Sequence, residues 1–331
     1  MGKASRTKQD GDRRARIAAQ RAQERRAQQR KRIYLAGGSI LVVAIVVVAF
    51  VLVKLNSGSG TAAAASNGPT GTALSALTTQ VENVPASVTD KIAGGGVSTQ
   101  LFATGETSSE ISSDATNLGS YFATVNSSTP LTSGGKPEVL YEGAEYCPFC
   151  AAQRWAMVNA LSRFGTFSGL TTTHSSSTDA DPNTPTWTFY GSTYKSNYIN
   201  FTSVEETKNY RIGNSSSTSV NYVTLQTPTT AQQNLAQQYD PGSGSGSPIP
   251  FIDLGNKYVQ VGNLSPLSPT LLAGKTWAQV GAAMNDPSSA LGQAEIGNAN
   301  YMTAGICKLT NNLPATACTP TIQKLEANFA S

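Results

Sequence analysis

Two cysteines separated by a proline and a phenylalanine, Cys147 and Cys150, have the types and spacing that most directly suggest chemistry in this 331-residue chain. A Cys-x-x-Cys pair can be half of a zinc site, a structural disulfide or a redox-active dithiol. Zinc would need further ligands from Cys307, Cys318 or His174, and that second cysteine pair lacks the tight ligand spacing. A disulfide across so small a loop constrains the unfolded chain little. The spacing favours redox chemistry, and we expect no metal and no cofactor.

The pair stands where a predicted strand, PEVLYEGAE, turns into a predicted helix, CPFCAAQRWAMVNALSRFG. A cysteine at a helix N-terminus faces unpaired N–H groups and the positive end of the helix dipole, and both favour the thiolate. We therefore expect Cys147 to be the more exposed nucleophile and Cys150 to be the resolving thiol. Pro148 suits the first helical turn, where no N–H is needed. Phe149 completes the candidate catalytic segment.

The elements that must position this pair lie in a chain whose charge is divided. Residues 1–54 carry 13 Lys+Arg against 3 Asp+Glu, whereas residues 55–331 carry 11 against 17. The division falls at Ile33–Val53, a run of 21 uncharged residues, and a helix needs about 20 to cross a bilayer. Basic residues precede this run and only Lys54 directly follows it, so the positive-inside rule predicts a cytoplasmic N-terminus. A cleaved signal peptide is the alternative.

We predict a basic cytoplasmic tail at 1–32, a transmembrane helix at 33–53, a flexible Gly/Ser/Ala-rich linker at 54–73 and an extracytoplasmic domain at 74–331. The protein would be a single-pass protein of the cell membrane. The helix and the basic tail would contact membrane lipids. No aromatic residue precedes Tyr34 that could stack on bases, so we expect no binding to nucleic acid.

The outer domain is predicted to be mixed α/β. Helical spacing begins near Leu74, Pro85 predicts the start of a second short helix, and residues 97–136 suggest short helices and loops. LTTTHSS indicates a strand, and TPTWTFYGSTYKSNYINFTSVE indicates a hairpin or two strands that turn near Gly191. TTAQQNLAQQY indicates a helix. IPFIDLGNKYVQVG indicates a hairpin, and helices are predicted from Pro269 onward.

The order of strand, Cys-Pro-Phe-Cys, amphipathic helix and a later Ile-Pro-Phe that opens a strand resembles the thioredoxin superfamily. More narrowly, GKPEVLYEGAEYCPFCAAQRWA, LSRFGTFSGL and PFIDLGNKY are similar to a family of uncharacterised prokaryotic thioredoxin-like proteins anchored by one N-terminal transmembrane helix. The similarity covers about residues 80–331. It implies a thioredoxin-like α/β fold, a central mixed sheet flanked by helices, with a strand- and loop-rich insertion at about 171–247 and a helical C-terminal extension at about 267–331.

The resemblance also implies a cis-proline loop opposite the cysteines, with a backbone that pairs with a bound substrate segment. Pro250 matches that position, so the Ile249–Pro250 bond would be cis, and Pro248 is the weaker candidate. The sequence departs from the superfamily at Tyr141, where thioredoxins keep a buried carboxylate six residues before the first cysteine. Glu142 is close by, as is Glu145, but strand alternation leaves open whether either points under the cysteines.

Two further features bear on the thiols. The Pro-Phe dipeptide supplies no histidine to stabilise a thiolate, so we expect an intermediate potential, nearer that of glutaredoxins. Arg154 lies one helical turn after Cys150 and could influence the thiolate, but a solvated helix face is the preferred interpretation. For Cys307 and Cys318 we predict a disulfide that clamps a helix–loop–helix corner, and a relay of electrons to the first pair is the alternative.

These expectations describe a membrane-anchored, extracytoplasmic thiol–disulfide oxidoreductase. Its partners would be protein thiols and disulfides and an unidentified electron donor or acceptor in the membrane. The alternative is a non-enzymatic thioredoxin-like scaffold or interaction module of the cell envelope, with a structural disulfide between Cys147 and Cys150. A buried Cys147, or a Pro250 on the far side, would favour that module.

Overall fold

The structure is a computed structural model, and all residues described belong to the unit Ala64–Ser331. The described residues are 68–93, 122–125, 127, 129–214, 221–239, 249–261 and 267–329. The predicted basic tail, the transmembrane helix and most of the linker lie outside them. Among the described residues, no helix combines the length and the apolar character needed to cross a membrane.

The described part of the chain has a mixed α/β architecture, as predicted. Its helices are α1 Gly71–Glu82, α2 Ala86–Ala93, α3 Pro148–Ser162, α4 Thr230–Tyr239, α5 Trp277–Met284, α6 Ala290–Leu309 and α7 Pro320–Leu325. Its strands are β1 Ala123–Thr124, β2 Thr132–Ser133, β3 Lys136–Gly143, β4 Gly165–Ser168, β5 Thr171–His174, β6 Pro185–Thr188, β7 Thr193–Ser196, β8 Asn200–Glu205, β9 Thr207–Arg211, β10 Tyr222–Thr224, β11 Phe251–Leu254 and β12 Tyr258–Val261. Short 3-10 segments cover Ile212–Asn214, Pro269–Leu272 and Glu326–Asn328.

Strand β3 is the centre of the main sheet. It pairs in parallel with β8 and antiparallel with β11, which continues through β12 to β1, while β2 pairs with the first residues of β3. The other strands form the two-stranded sheets β4–β7, β5–β6 and β9–β10. Strand β3 is buried from Val139 to Gly143, so the chain that leads to Cys147 comes from the interior of the domain.

The two faces of the main sheet pack against different helices, as strand alternation requires. Val139 and Ile252 belong to the large core that contains Trp155 of α3. Leu140 and Phe251 face the other way and pack in a smaller cluster with Ala236 of α4. Helix α3 therefore lies on the face that carries the odd-numbered residues of β3, and α4 lies on the opposite face.

Helix α3 is buried almost all round, because other elements cover the side turned away from the sheet. The indole nitrogen of Trp155 donates to the carbonyl of Pro185 at the start of β6, at 2.9 Å. On another side, Asn298 of α6 donates to Gln153 at 3.0 Å. The predicted solvated face that carries Arg154 is therefore wrong, since its side chain has no exposure.

Most of the predicted elements are confirmed, including α1 to α7, β3, β5 and the β11–β12 hairpin, whose turn places Asn256 at a φ of 54°. Of the two alternatives for the chain around Gly191, the two strands that turn there are confirmed by β6 and β7, and the hairpin is wrong. A turn is present there, but β6, β7 and β8 pair with β5, β4 and β3 rather than with one another. Within 97–136, the described residues form β1 and β2 instead of short helices.

Candidate functional site

Cys147 is the N-cap residue of α3, directly after the turn that ends β3. Its backbone is extended, with φ −75° and ψ 122°, and Pro148 occupies the start of the helix. The sulfur of Cys147 accepts a hydrogen bond from the backbone N–H of Cys150 at 3.3 Å. The sulfur thus takes the place of a capping side-chain oxygen and satisfies one of the unpaired donors at the helix N-terminus.

The two cysteines are free thiols in very different electrostatic surroundings. The pKa of Cys147 is lowered, first by the hydrogen bond from the Cys150 thiol and then by the Cys150 N–H and the charge of Arg154, while burial opposes these effects. The pKa of Cys150 is raised well above its ordinary value by burial and then by its hydrogen bond to Cys147. A thiolate on Cys147 and a proton on Cys150 is the favoured arrangement of the dithiol.

The thiols differ little in exposure. Cys147 is 7% exposed and Cys150 is fully buried, so the first cysteine is the more accessible one but is not open to solvent. Phe149, between them, is 43% exposed and is the part of the motif that reaches the surface.

A buried ion pair lies beside the thiols, and the sequence predicted neither the burial of Arg154 nor its partner Glu205. The guanidinium of Arg154 donates to both carboxylate oxygens of Glu205, from Nε to Oε1 at 2.8 Å and from Nη2 to Oε2 at 2.6 Å. Neither side chain is exposed. Nη2 also donates to the carbonyl of Ala144 at 2.8 Å, and that carbonyl accepts the N–H of Cys147. Arg154 therefore connects β8 to the turn that precedes Cys147.

Tyr141, at the position where thioredoxins keep a carboxylate, does point toward α3. It shares the α3 face of β3 with Gly143, and a side chain at Gly143 would lie 2.0 Å from the Tyr141 hydroxyl. Burial raises the pKa of Tyr141 well above its ordinary value, so the phenol keeps its proton. Within the described residues this hydroxyl has no hydrogen-bond partner. The nearby carboxylate comes instead from Glu205, which is in register with Gly143 on the parallel strand β8.

The two nearby glutamates have different positions. Glu142 is in register with Phe251, which packs toward α4, so its side chain lies on the sheet face opposite the cysteines. Glu145 lies in the turn between β3 and α3, where burial raises its pKa, opposed by a hydrogen bond to Thr188. Of the two, only Glu145 is on the thiol side of the sheet.

The Ile249–Pro250 peptide bond is cis, as the resemblance implied. Pro250 is buried and directly precedes β11. Since β11 is antiparallel to β3 and Phe251 is in register with Glu142, Pro250 lies at the end of the sheet where β3 leads to Cys147. The sheet topology thus brings the proline and the cysteine motif to the same edge.

An aromatic stack adjoins Cys147, and no local sequence pattern predicts it because its members are far apart in the chain. The rings of Tyr146 and Tyr222 are parallel within 5° at a centroid distance of 4.1 Å. The guanidinium of Arg211 lies 4.3 Å from the centre of the Tyr222 ring. The carbonyl of Tyr146 also accepts the N–H of Ser176 at 2.9 Å. These contacts fix the residue before Cys147 against the β9–β10 sheet.

The second cysteine pair forms the predicted disulfide. Cys307, in the last turn of α6, is bonded to Cys318, just before α7, with Cα atoms 5.7 Å apart. This bond removes two of the ligands that a zinc site at the Cys-x-x-Cys motif would have needed. The remaining candidate, His174, has its Nδ1 within hydrogen-bond distance of the Ser175 carbonyl. An electron relay between the two cysteine pairs stays a prediction.

A model of one protein family, described as "Domain of unknown function (DUF929)", matches residues 121–308. The match covers more than half of the chain, and the protein therefore belongs to this family. The matched span contains Cys147, Cys150, Arg154, Glu205 and Pro250. No curated protein and no solved structure matches the chain.

Proposed function

We propose that this protein is a membrane-anchored, extracytoplasmic thiol–disulfide oxidoreductase that acts on protein thiols and disulfides through Cys147 and Cys150. The observation that carries the proposal is the position of the pair at the N-terminus of α3, where Cys147 is the N-cap residue and its sulfur accepts the N–H of Cys150 at 3.3 Å. The pKa directions agree with it, lowered at Cys147 and raised at Cys150. Thiol–disulfide exchange needs one sulfur that attacks as a thiolate and a second that stays protonated until it resolves the mixed disulfide.

The exchange follows from this arrangement. With the pair reduced, the Cys147 thiolate attacks one sulfur of a substrate disulfide, and the other substrate sulfur leaves as a thiolate. Cys150 then loses its proton and attacks the Cys147 sulfur, which releases the second substrate thiolate and closes the Cys147–Cys150 bond. Two electrons pass to the substrate. Each step is reversible, so the same residues can form disulfides when the pair starts oxidised.

A thioredoxin-like fold is part of the proposal. It is supported by a central mixed sheet with helices on both faces, by a Cys-x-x-Cys motif at a helix N-terminus and by a cis proline before the antiparallel strand β11. The proposed membrane anchor and orientation rest on Ile33–Val53 and its basic flank. A membrane-bound electron donor or acceptor is proposed because the pair must be returned to its starting state after each turnover.

The burial of Cys147 favours a second candidate function. At 7% exposure, its sulfur offers little surface to a partner. In a non-enzymatic scaffold or interaction module, Cys147 and Cys150 would serve only the packing of α3 against β3. The aromatic stack of Tyr146 on Tyr222 would then be structural as well.

An activity assay with the full-length protein in detergent separates the two functions. We expect insulin reduction in the presence of dithiothreitol, or oxidation of a reduced protein dithiol, and we expect Cys147→Ala and Cys150→Ala to abolish it. The Cys307→Ser/Cys318→Ser double variant is the control, because it removes the structural disulfide and leaves Cys147 and Cys150 in place. Absence of both activities in the wild type, or activity that persists in Cys147→Ala, would support the module and reject the enzyme.

A further inference from the structure

Burial of the ion pair beside the thiols costs desolvation free energy, and the position of the pair suggests why it is kept. Moving an arginine and a carboxylate fully out of water costs several kcal/mol per ion, and apolar residues of similar size often replace such a pair without loss. Arg154 and Glu205 are both fully buried. Within the described residues, Nη1 of Arg154 has no hydrogen-bond partner, so Glu205 and the Ala144 carbonyl do not use the whole guanidinium.

The charged and titratable groups around the thiols come from several elements. These side chains interact electrostatically with the dithiol or with one another: Tyr141 of β3, Glu205 of β8, Arg154 of α3, Glu145 and Tyr146 of the turn before α3, and Lys208 of β9. Arg154 is the cation that contacts the turn before α3, because its Nη2 donates to the Ala144 carbonyl that also accepts the N–H of Cys147. Its charge lowers the pKa of both cysteines. Burial keeps Tyr141 neutral. The buried arginine thus supplies the cation that the Pro-Phe dipeptide lacks.

We propose that Arg154, held in place by Glu205, is a positioning residue that stabilises the Cys147 thiolate of the reduced pair, and that the Cys147–Cys150 disulfide is for this reason an oxidant of protein dithiols. This inference rests on the proposed function and specifies its direction. A disulfide whose reduced form is stabilised takes up electrons more readily. The charge of Arg154 favours the thiolate of the reduced state and has no counterpart in the neutral disulfide.

Oxidation of a substrate dithiol by the pair takes two exchange steps. A substrate thiolate attacks Cys147, and Cys150 leaves with the electron pair of the broken S–S bond and takes up a proton. The second substrate thiolate attacks the substrate sulfur of the mixed disulfide, and Cys147 leaves as a thiolate beside Arg154. The substrate becomes a disulfide and gives two electrons to the pair. Of the two substrate thiol protons, one stays on Cys150 and one goes to solvent. A more oxidising disulfide of another protein would restore the starting state.

The test is a redox titration of the full-length protein against glutathione and glutathione disulfide, followed by mass change after thiol alkylation. Arg154→Met removes the cation, and we expect a raised Cys147 pKa and an equilibrium shifted toward the disulfide by about tenfold per pKa unit at neutral pH. Glu205→Gln keeps the arginine and removes its counter-charge. We therefore expect a lowered Cys147 pKa and an equilibrium shifted toward the dithiol. Arg154→Lys keeps the charge and should remain close to the wild type in both quantities.

Arg163→Met is the matched control. Arg163 follows the last turn of the same helix and bonds to Asn159 and Asn300 rather than to Glu205. We expect it to leave the equilibrium and the Cys147 pKa unchanged. The opposite signs for Arg154→Met and Glu205→Gln distinguish an electrostatic role from damage to the fold, since damage would move both variants the same way.

Several outcomes would overturn the inference. Shifts of the same sign in Arg154→Met and Glu205→Gln, no shift in either, or Arg154→Lys behaving like Arg154→Met would each reject the charge-based role. If Arg154→Met does not fold, Arg154→Lys and Glu205→Gln decide alone. A wild-type pair that is as reducing as thioredoxin would reject the oxidant assignment while leaving the proposed function intact. A pair that never forms a disulfide in glutathione buffers would instead reject the proposed function.

Discussion

Removal of one partner of the Arg154–Glu205 pair should destabilise the protein more than removal of both charges. Arg154→Met eliminates three hydrogen bonds, two to Glu205 and one to the Ala144 carbonyl. Glu205 then stays buried, and among the described residues the N–H of Phe189, at 3.2 Å, is the one remaining donor to its side chain. Breaking a buried pair in this way costs about 3–5 kcal/mol.

The double variant Arg154→Met/Glu205→Gln removes both charges and should lose less than the sum of the single losses. Residues in direct contact typically show interaction energies of about 0.5–3 kcal/mol in a double-mutant cycle, and a fully buried pair belongs at the upper end of that range.

Urea denaturation of the full-length protein, followed by tryptophan fluorescence, measures these free energies of unfolding. Trp155 and Trp187 are fully buried, with their rings edge to face and the ring centroids 5.3 Å apart, so unfolding exposes both rings. Single-variant losses below about 1 kcal/mol, or additivity within about 0.5 kcal/mol, would refute the reasoning. Either result would mean that water reaches the pair or that the carboxylate finds another partner.

Three further predictions concern other parts of the molecule. Alkylation of Cys147 should follow a thiolate with a lowered pKa, which a pH series of iodoacetamide reaction rates measures; a rate that rises only above the ordinary thiol pKa would contradict this assignment. The Cys307→Ser/Cys318→Ser variant should lose about 2–3 kcal/mol in urea denaturation, with the reduced wild type as control, because the disulfide closes an eleven-residue separation. Burial raises the pKa of Asp253 from 3.8 to about 7, so folding takes up a proton between those pH values. The free energy of unfolding of the wild type should therefore fall as pH rises through this range, by up to about 1.4 kcal/mol per pH unit. Asp253→Asn should flatten this slope, and an unchanged slope would contradict the prediction.

The sequence predicted the position of the thiols well because their signals are local. Four features within a few residues, a buried strand, a proline at the start of a helix, two cysteines and an apolar periodicity, are sufficient to predict β3, α3 and the N-cap position of Cys147. The β11–β12 hairpin was also predictable from local sequence, because Gly255 and Asn256 are residue types that favour tight turns, and both adopt positive φ in the structure.

The surroundings of the thiols could not be predicted in this way. A single arginine in a helix normally indicates a solvated face, and nothing near Arg154 shows that its partner lies 51 residues later in the chain. Glu205 lies on β8, which pairs in parallel with β3, and such pairing needs a long crossover that local patterns do not reveal. Local patterns therefore left a hairpin or two separate strands open, and could not show that β6, β7 and β8 each pair with a different strand.

Capture of a substrate through Cys147 tests the central claim most directly. The Cys150→Ala variant of the full-length protein, incubated with an unfolded protein that carries mixed thiols and disulfides, should accumulate a mixed disulfide that mass spectrometry maps to Cys147. That adduct should be absent from Cys147→Ala/Cys150→Ala and should be short-lived in the wild type, because Cys150 resolves it. No adduct with Cys150→Ala, or an adduct that persists without Cys147, would contradict a redox function for this pair.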